Sequence, residues 1–249
     1  MRDRLDARRH TGNGPDAGTD PDAGTGPAAG TARTGDTPGA AGTTGRNPLL
    51  RTAARLRLTT VYVALLTATA AWLASQSHGE RARFVRHNSS NVHHMEVGKW
   101  WTMFTSGLVV DGVPAWAGIT AVAVVLGAAE WRWGPARAGA VFLFGHLGAT
   151  LLTEGAMWAM LATRIPGALS HARDVGISYG LVATATCLLA LGPARLRRYG
   201  LPVLALALAS AWALDQELAD AGHLVAFLLG VLASRTAWVR ARARARAPR

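Results

Sequence analysis

From Leu58 onward the chain is a series of long apolar runs broken by short charged loops. A run of that kind points to helices that cross a lipid bilayer, because a helix satisfies its own backbone polar groups where no water can. Six spans are expected, at approximately Leu58–Ser75, Pro114–Ala129, Ala138–Ala162, Gly176–Leu191, Leu201–Leu214 and Ala221–Val239. Crossing requires about 20 apolar residues. The third run is generous and the fifth is short, so the fifth is expected to recruit Tyr199 and Gly200. Pro193 and Pro202 mark the joint between the fourth and fifth spans, and Pro114 suits a first helical turn. The fold class predicted from this pattern is all-α, a polytopic bundle of six transmembrane helices.

The N-terminal stretch has a different character. Met1 to Asn47 is rich in Gly, Ala, Thr, Asp and Pro, with almost no large apolar side chains. It cannot bury enough surface to offset its ordering entropy and is expected to be disordered. It also has no apolar core of a secretory signal near its start. Three regions follow: a disordered tail over 1–50, a membrane domain over 51–239 and a basic tail over 240–249. The formal net charge is +11, almost all of it arginine, since Lys99 is the only lysine. Most of these charges border the spans or sit in the Arg–Ala repeat from Arg240 to Arg246, where anionic membrane lipid, not nucleic acid, is the nearest partner. Cys187 is the sole cysteine, which excludes an internal disulfide and suggests no cysteine metal site. Neither a metal nor a cofactor is expected.

Loop charges set the orientation. Arg46, Arg51, Arg55 and Arg57 precede the first span, Arg132 and Arg137 lie in the second loop, and Arg195, Arg197 and Arg198 lie in the fourth. With six spans these share one side with the arginine-rich C-terminus. Both termini are therefore expected in the cytoplasm, with the protein in the inner (plasma) membrane. The acidic fifth loop, with Asp215, Glu217 and Asp220, then lies outside, as does the long first loop despite its arginines. Trp100, Trp101, Trp131, Trp133 and Trp238 sit near span ends as interface residues.

Two polar residues share a depth in this scheme. Ser178, within Gly176-Ile177-Ser178-Tyr179-Gly180, opens the fourth span, and His223 opens the sixth. Both spans descend from the outer surface. A hydroxyl and an imidazole are costly in lipid unless they face the protein interior, and together they form the minimum of a serine nucleophile with its base. The backbone N–H of Ser178, at a helix N-terminus, points toward a developing oxyanion. Gly176 and Gly180 would leave that backbone open to a substrate. Gly222, Ala226 and Gly230 recur every four residues, a pattern that lets helices touch, and His223 projects from nearly the same face. The alternative is that both are packing residues: serine often bonds back to its own helix, and a lone Gly-x-Ser-x-Gly is weak evidence.

Four segments carry a family resemblance. They are Gly98-Lys99-Trp100-Trp101-Thr102-Met103-Phe104-Thr105, Glu130-Trp131-Arg132-Trp133-Gly134, Gly176-Ile177-Ser178-Tyr179-Gly180 and His223-Leu224-Val225-Ala226-Phe227-Leu228-Leu229-Gly230. In order and position they resemble the rhomboid family of intramembrane serine proteases, over roughly Leu58 to Val239. The resemblance implies a rhomboid-like bundle with Ser178 as nucleophile and His223 as base, acting on a transmembrane protein substrate. The departures are equally specific. The family's His-x-x-x-Asn pair on the second span falls near Pro114 and Gly118, which have no side-chain donors, and losing one oxyanion donor costs on the order of 10²-fold in rate. The family's tyrosine one turn after the serine falls at Val182, and Ala226 replaces the first motif glycine.

His146, Thr150 and Glu154 form one polar stripe on the third span. They would replace the missing donors, form a proton path, or make an interhelical network that fixes the bundle, the reading preferred here. Asp174 is expected to cap the fourth span, and His93 and His94 are read as interfacial. Three functions follow: a rhomboid-like serine endopeptidase, a catalytically silent rhomboid-like protein that binds transmembrane partners, and, ranked last, a small transporter. The transporter reading lacks matched broken helices or inverted repeats.

Overall fold

The computed structural model describes residues 54–110, 113–162, 177–215, 217–236 and 238–240, and every regular element among them is helical. They belong to one unit, Gly45–Arg249. The stretches 1–50 and 241–249, and with them the expectation of a disordered N-terminal tail, lie outside the described residues. The elements are α1 (Arg57–Ala74), α2 (His78–Asn88), α3 (Val92–Glu96), α4 (Thr102–Thr105, continued by a 3₁₀ turn over Ser106–Leu108), α5 (Ala115–Trp133), α6 (Pro135–Ala162), α7 (Ser178–Ala190), α8 (Ala194–Asp215) and α9 (Leu218–Arg235).

The six longer helices match the six expected apolar runs, but among the described residues three are both long and apolar enough to cross a membrane: Arg57–Ala74, Pro135–Met160 and Leu218–Arg235. Helix α7 is apolar but has 13 residues, a length of about 20 Å, short of a hydrocarbon core of about 30 Å. Helix α5 ends in Glu130 and Arg132, and α8 carries Arg195, Arg197, Arg198 and Asp215. Large apolar side chains such as Val61, Leu65, Trp116, Val203, Leu206, Leu214 and Leu228 point outward. Outward apolar cover on this scale belongs to a protein solvated by lipid.

Boundaries moved where proline or glycine chemistry permitted. Gly134, at φ 85°, reverses the chain between α5 and α6 in a conformation open mainly to glycine, and Pro135 takes the first position of α6, where its missing N–H costs nothing. Pro202 does not end a span: α8 runs through it from Ala194. The Arg198 carbonyl loses its amide partner there but lies on an exposed turn, where polar solvent can replace it. The long first loop is itself folded. Ser77 and Glu80 form a reciprocal capping box at the start of α2, and Asn91 caps α3 by accepting from His94 N at 2.9 Å. His94 Nδ1 also donates to the Ser89 carbonyl at 2.7 Å.

Helix α7 packs between α6 and α9. In lipid, such contacts rest on close packing at small residues more than on exclusion of water. A Cβ on Gly145 of α6 would stand 2.2 Å from Ala183 Cβ, and one on Gly230 of α9 would stand 2.4 Å from the Ala183 carbonyl oxygen. Ala149, Tyr179, Ala183 and Ala226 form the buried cluster at this junction. A larger cluster, with Leu66, Val122, Leu126, Trp133, Phe142 and Ile177, joins α1, α5, α6 and the start of α7. There the Glu130 carboxylate at the end of α5 accepts from Leu58 N (3.0 Å), Thr59 N (2.8 Å) and Thr59 Oγ1 (2.8 Å). Glu130 thus satisfies the free amides at the start of α1 from another helix.

Candidate active site

Ser178 is the first residue of α7 and is half-buried. Its predecessor, Ile177, has no capping side chain and is buried in the larger core cluster. Gly176 and Asp174 lie outside the described residues. Gly180 is buried, and a Cβ there would stand 2.6 Å from Phe142 Cζ. The space beside Gly180 is filled by that ring, so this glycine serves the contact between α6 and α7.

His223 lies in the second turn of α9, because the helix begins at Leu218, three residues earlier than the hydropathy suggests. The extension has a chemical consequence. Asp220, expected in the fifth loop, becomes part of the first turn of α9 and lies three residues before His223 on the same face. Its Oδ1 stands 3.7 Å from His223 Nδ1, with the two side chains 15% and 21% exposed.

Tyr179 supplies the contact between the two helices. Its ring meets the His223 ring edge-on, with centroids 5.2 Å apart and planes at 77°. It can do so because Gly222 has no side chain: a Cβ there would fall 2.2 Å from Tyr179 Oη. The spacing of Gly222, Ala226 and Gly230 therefore works as expected, with all three buried and both glycines pressed against α7. The contact between the two segments is made by Tyr179, the residue after Ser178, and among the described residues no hydrogen bond joins the Ser178 hydroxyl to the imidazole. The aromatic partner of the histidine is the residue directly after the serine, not the one at Val182.

The second-span positions hold no donor. Pro114 is exposed before the start of α5. Gly118 is buried, with the space for a Cβ taken by Val110 Cγ1 at 2.5 Å and Ile177 Cδ1 at 3.6 Å. His146 donates from Nε2 to the Met103 carbonyl at 2.9 Å, which ties α6 to α4. Thr150 and Glu154 are buried on the same helix. Among the described residues no group of three His, Cys, Asp or Glu side chains is arranged to hold a metal.

The sequence alone missed Asp220 and Tyr179. The Asp-x-x-His spacing was the available signal for the first, and the glycine before His223 was the signal for the second.

All-helical architecture, helices of membrane-crossing length, outward apolar cover and small-residue helix contacts define a membrane protein. A sequence profile described as rhomboid-like protein matches residues 51–245, most of the chain, and the chain belongs to that family. None of the curated proteins and no solved structure matches it.

Proposed function

We propose that this rhomboid-like membrane protein is a serine-type intramembrane endopeptidase that cleaves transmembrane protein substrates, with Ser178 as nucleophile and His223 as base. The observation that carries the reading is the α7–α9 junction: the residue after Ser178 touches the His223 ring, at the closely packed ends of two facing helices. In the reaction, Ser178 Oγ adds to the peptide carbonyl as its proton passes to a ring nitrogen of His223. The imidazolium then returns that proton to the leaving amine, and water releases the acyl group by the reverse sequence. The Ser178 backbone N–H, at the N-terminus of α7, would meet the developing oxyanion. In this reading six helices cross the plasma membrane, the arginine-bearing ends face the cytoplasm, and cleavage occurs toward the outer leaflet.

The experiment is cleavage of a single-span model substrate by purified protein in liposomes. The wild-type chain should cut it and Ser178→Ala should fall to background. Equal cleavage by the mutant would rule out the nucleophile.

A second reading, a catalytically silent rhomboid-like protein that binds transmembrane partners, has its own support. Val110 and Ile177 fill the place beside Gly118 where a donor side chain would stand, and no hydrogen bond pairs Ser178 with His223 among the described residues. Covalent labelling of Ser178 by a serine-reactive phosphonate counts against it.

A further inference from the structure

We propose that Asp220 is a positioning residue for His223, holding the imidazole with Nδ1 toward its carboxylate so that Nε2 is left for the Ser178 hydroxyl. The inference rests on the catalytic reading above and extends it from a pair to three groups, two of them from adjacent turns of one helix.

The geometry carries it. Asp220 Oδ1 and His223 Nδ1 are 3.7 Å apart, and both side chains are largely withdrawn from solvent, at 15% and 21% exposure. The ring is bounded on another side by Tyr179 at 5.2 Å, and Tyr179 is itself seated over Gly222. Among the described residues the imidazole is thus faced by a carboxylate from α9 and a phenol ring from α7. The two ring nitrogens of a histidine are distinct, and the partner of one decides the role of the other. With Nδ1–H directed at the carboxylate, Nε2 carries the lone pair that a general base needs. At 3.7 Å the contact is longer than a hydrogen bond; such contacts shorten once substrate and charge are in place. Through the reaction Asp220 keeps its negative charge while the Ser178 proton resides on Nε2, so the imidazolium forms beside a counter-ion.

A purely structural role for Asp220 is also defined: a carboxylate in the first turn of α9 offsets the free amides of the helix N-terminus. The two roles separate experimentally. The full chain in lipid nanodiscs is treated with a fluorophosphonate, and the inactivation rate constant is measured separately from the inhibitor's affinity, with thermal stability recorded in parallel. The wild-type chain should label at Ser178. Asp220→Asn should lower the inactivation rate about tenfold or more, with affinity unchanged within about twofold, and Asp220→Glu should recover part of the loss. Wild-type rates in Asp220→Asn, or a loss that follows thermal stability and is not recovered by Asp220→Glu, would overturn the assignment while leaving the endopeptidase reading intact. Absence of labelling in the wild-type chain would overturn both.

Discussion

The contact at Gly230 predicts that one substitution, made at two glycines, changes stability in opposite directions. At Gly230 an added Cβ would lie 2.4 Å from the Ala183 carbonyl oxygen, 2.7 Å from Thr186 Cβ and 3.0 Å from Ala183 Cα. Two of these atoms are backbone of α7, so no side-chain rotation relieves the clash, and α9 has to retreat by about 1 Å to restore ordinary contact. Overpacking of that kind costs about 1–3 kcal/mol, against which alanine's helix preference over glycine returns about 1 kcal/mol. Gly230→Ala should therefore destabilise by up to about 2 kcal/mol. At Gly155 on α6 nothing lies within 4 Å of an added Cβ, so Gly155→Ala keeps only the helix preference and should stabilise by up to about 1 kcal/mol. For a chain of this size each kcal/mol moves Tm by about 2–4 °C. Thermal unfolding in detergent micelles, followed by tryptophan fluorescence, should place Gly230→Ala below wild type, by up to several degrees, and Gly155→Ala slightly above it. A Tm for Gly230→Ala at or above that of Gly155→Ala would refute close packing of α9 on α7 at this point.

Two further outcomes follow from other contacts. Gly222→Ala places a Cβ 2.2 Å from Tyr179 Oη, which displaces the ring that bounds His223; phosphonate labelling of Ser178 should slow by about 10²-fold, and unchanged labelling would show that the ring does not hold the base. Glu130→Ala removes the acceptor of three hydrogen bonds at the start of α1 and should cost about 2–4 kcal/mol, read as a lower unfolding temperature, with Glu130→Gln intermediate.

Much of this architecture was legible in the sequence. Hydropathy located all six long helices because each apolar run must be helical to satisfy its backbone in lipid. It misplaced ends. The start of α8 was lost because Arg195, Arg197 and Arg198 count against a span in hydropathy, although they lie in the first turns of the helix. The start of α9 was lost because Leu218–Asp220 carries a charge that hydropathy counts against a span, although a carboxylate favours the first turn of a helix. That three-residue shift is what brings Asp220 to His223. The helices of the first loop were missed because their signals are caps, Ser77 with Glu80 and Asn91, and not apolar periodicity. The rhomboid-like motifs were legible as ordered segments. The partner of the histidine was not, because it depends on which ring the space over Gly222 admits.

The Glu130 carboxylate also bears on how the protein is made. Its hydrogen bonds reach back 71 and 72 residues, to Thr59 and Leu58. At ordinary rates of synthesis that separation amounts to on the order of ten seconds. Throughout that interval α1 lacks the Glu130 carboxylate for these amides, so the emerging polypeptide must keep the start of α1 hydrated at the bilayer surface until the glutamate has left the ribosome.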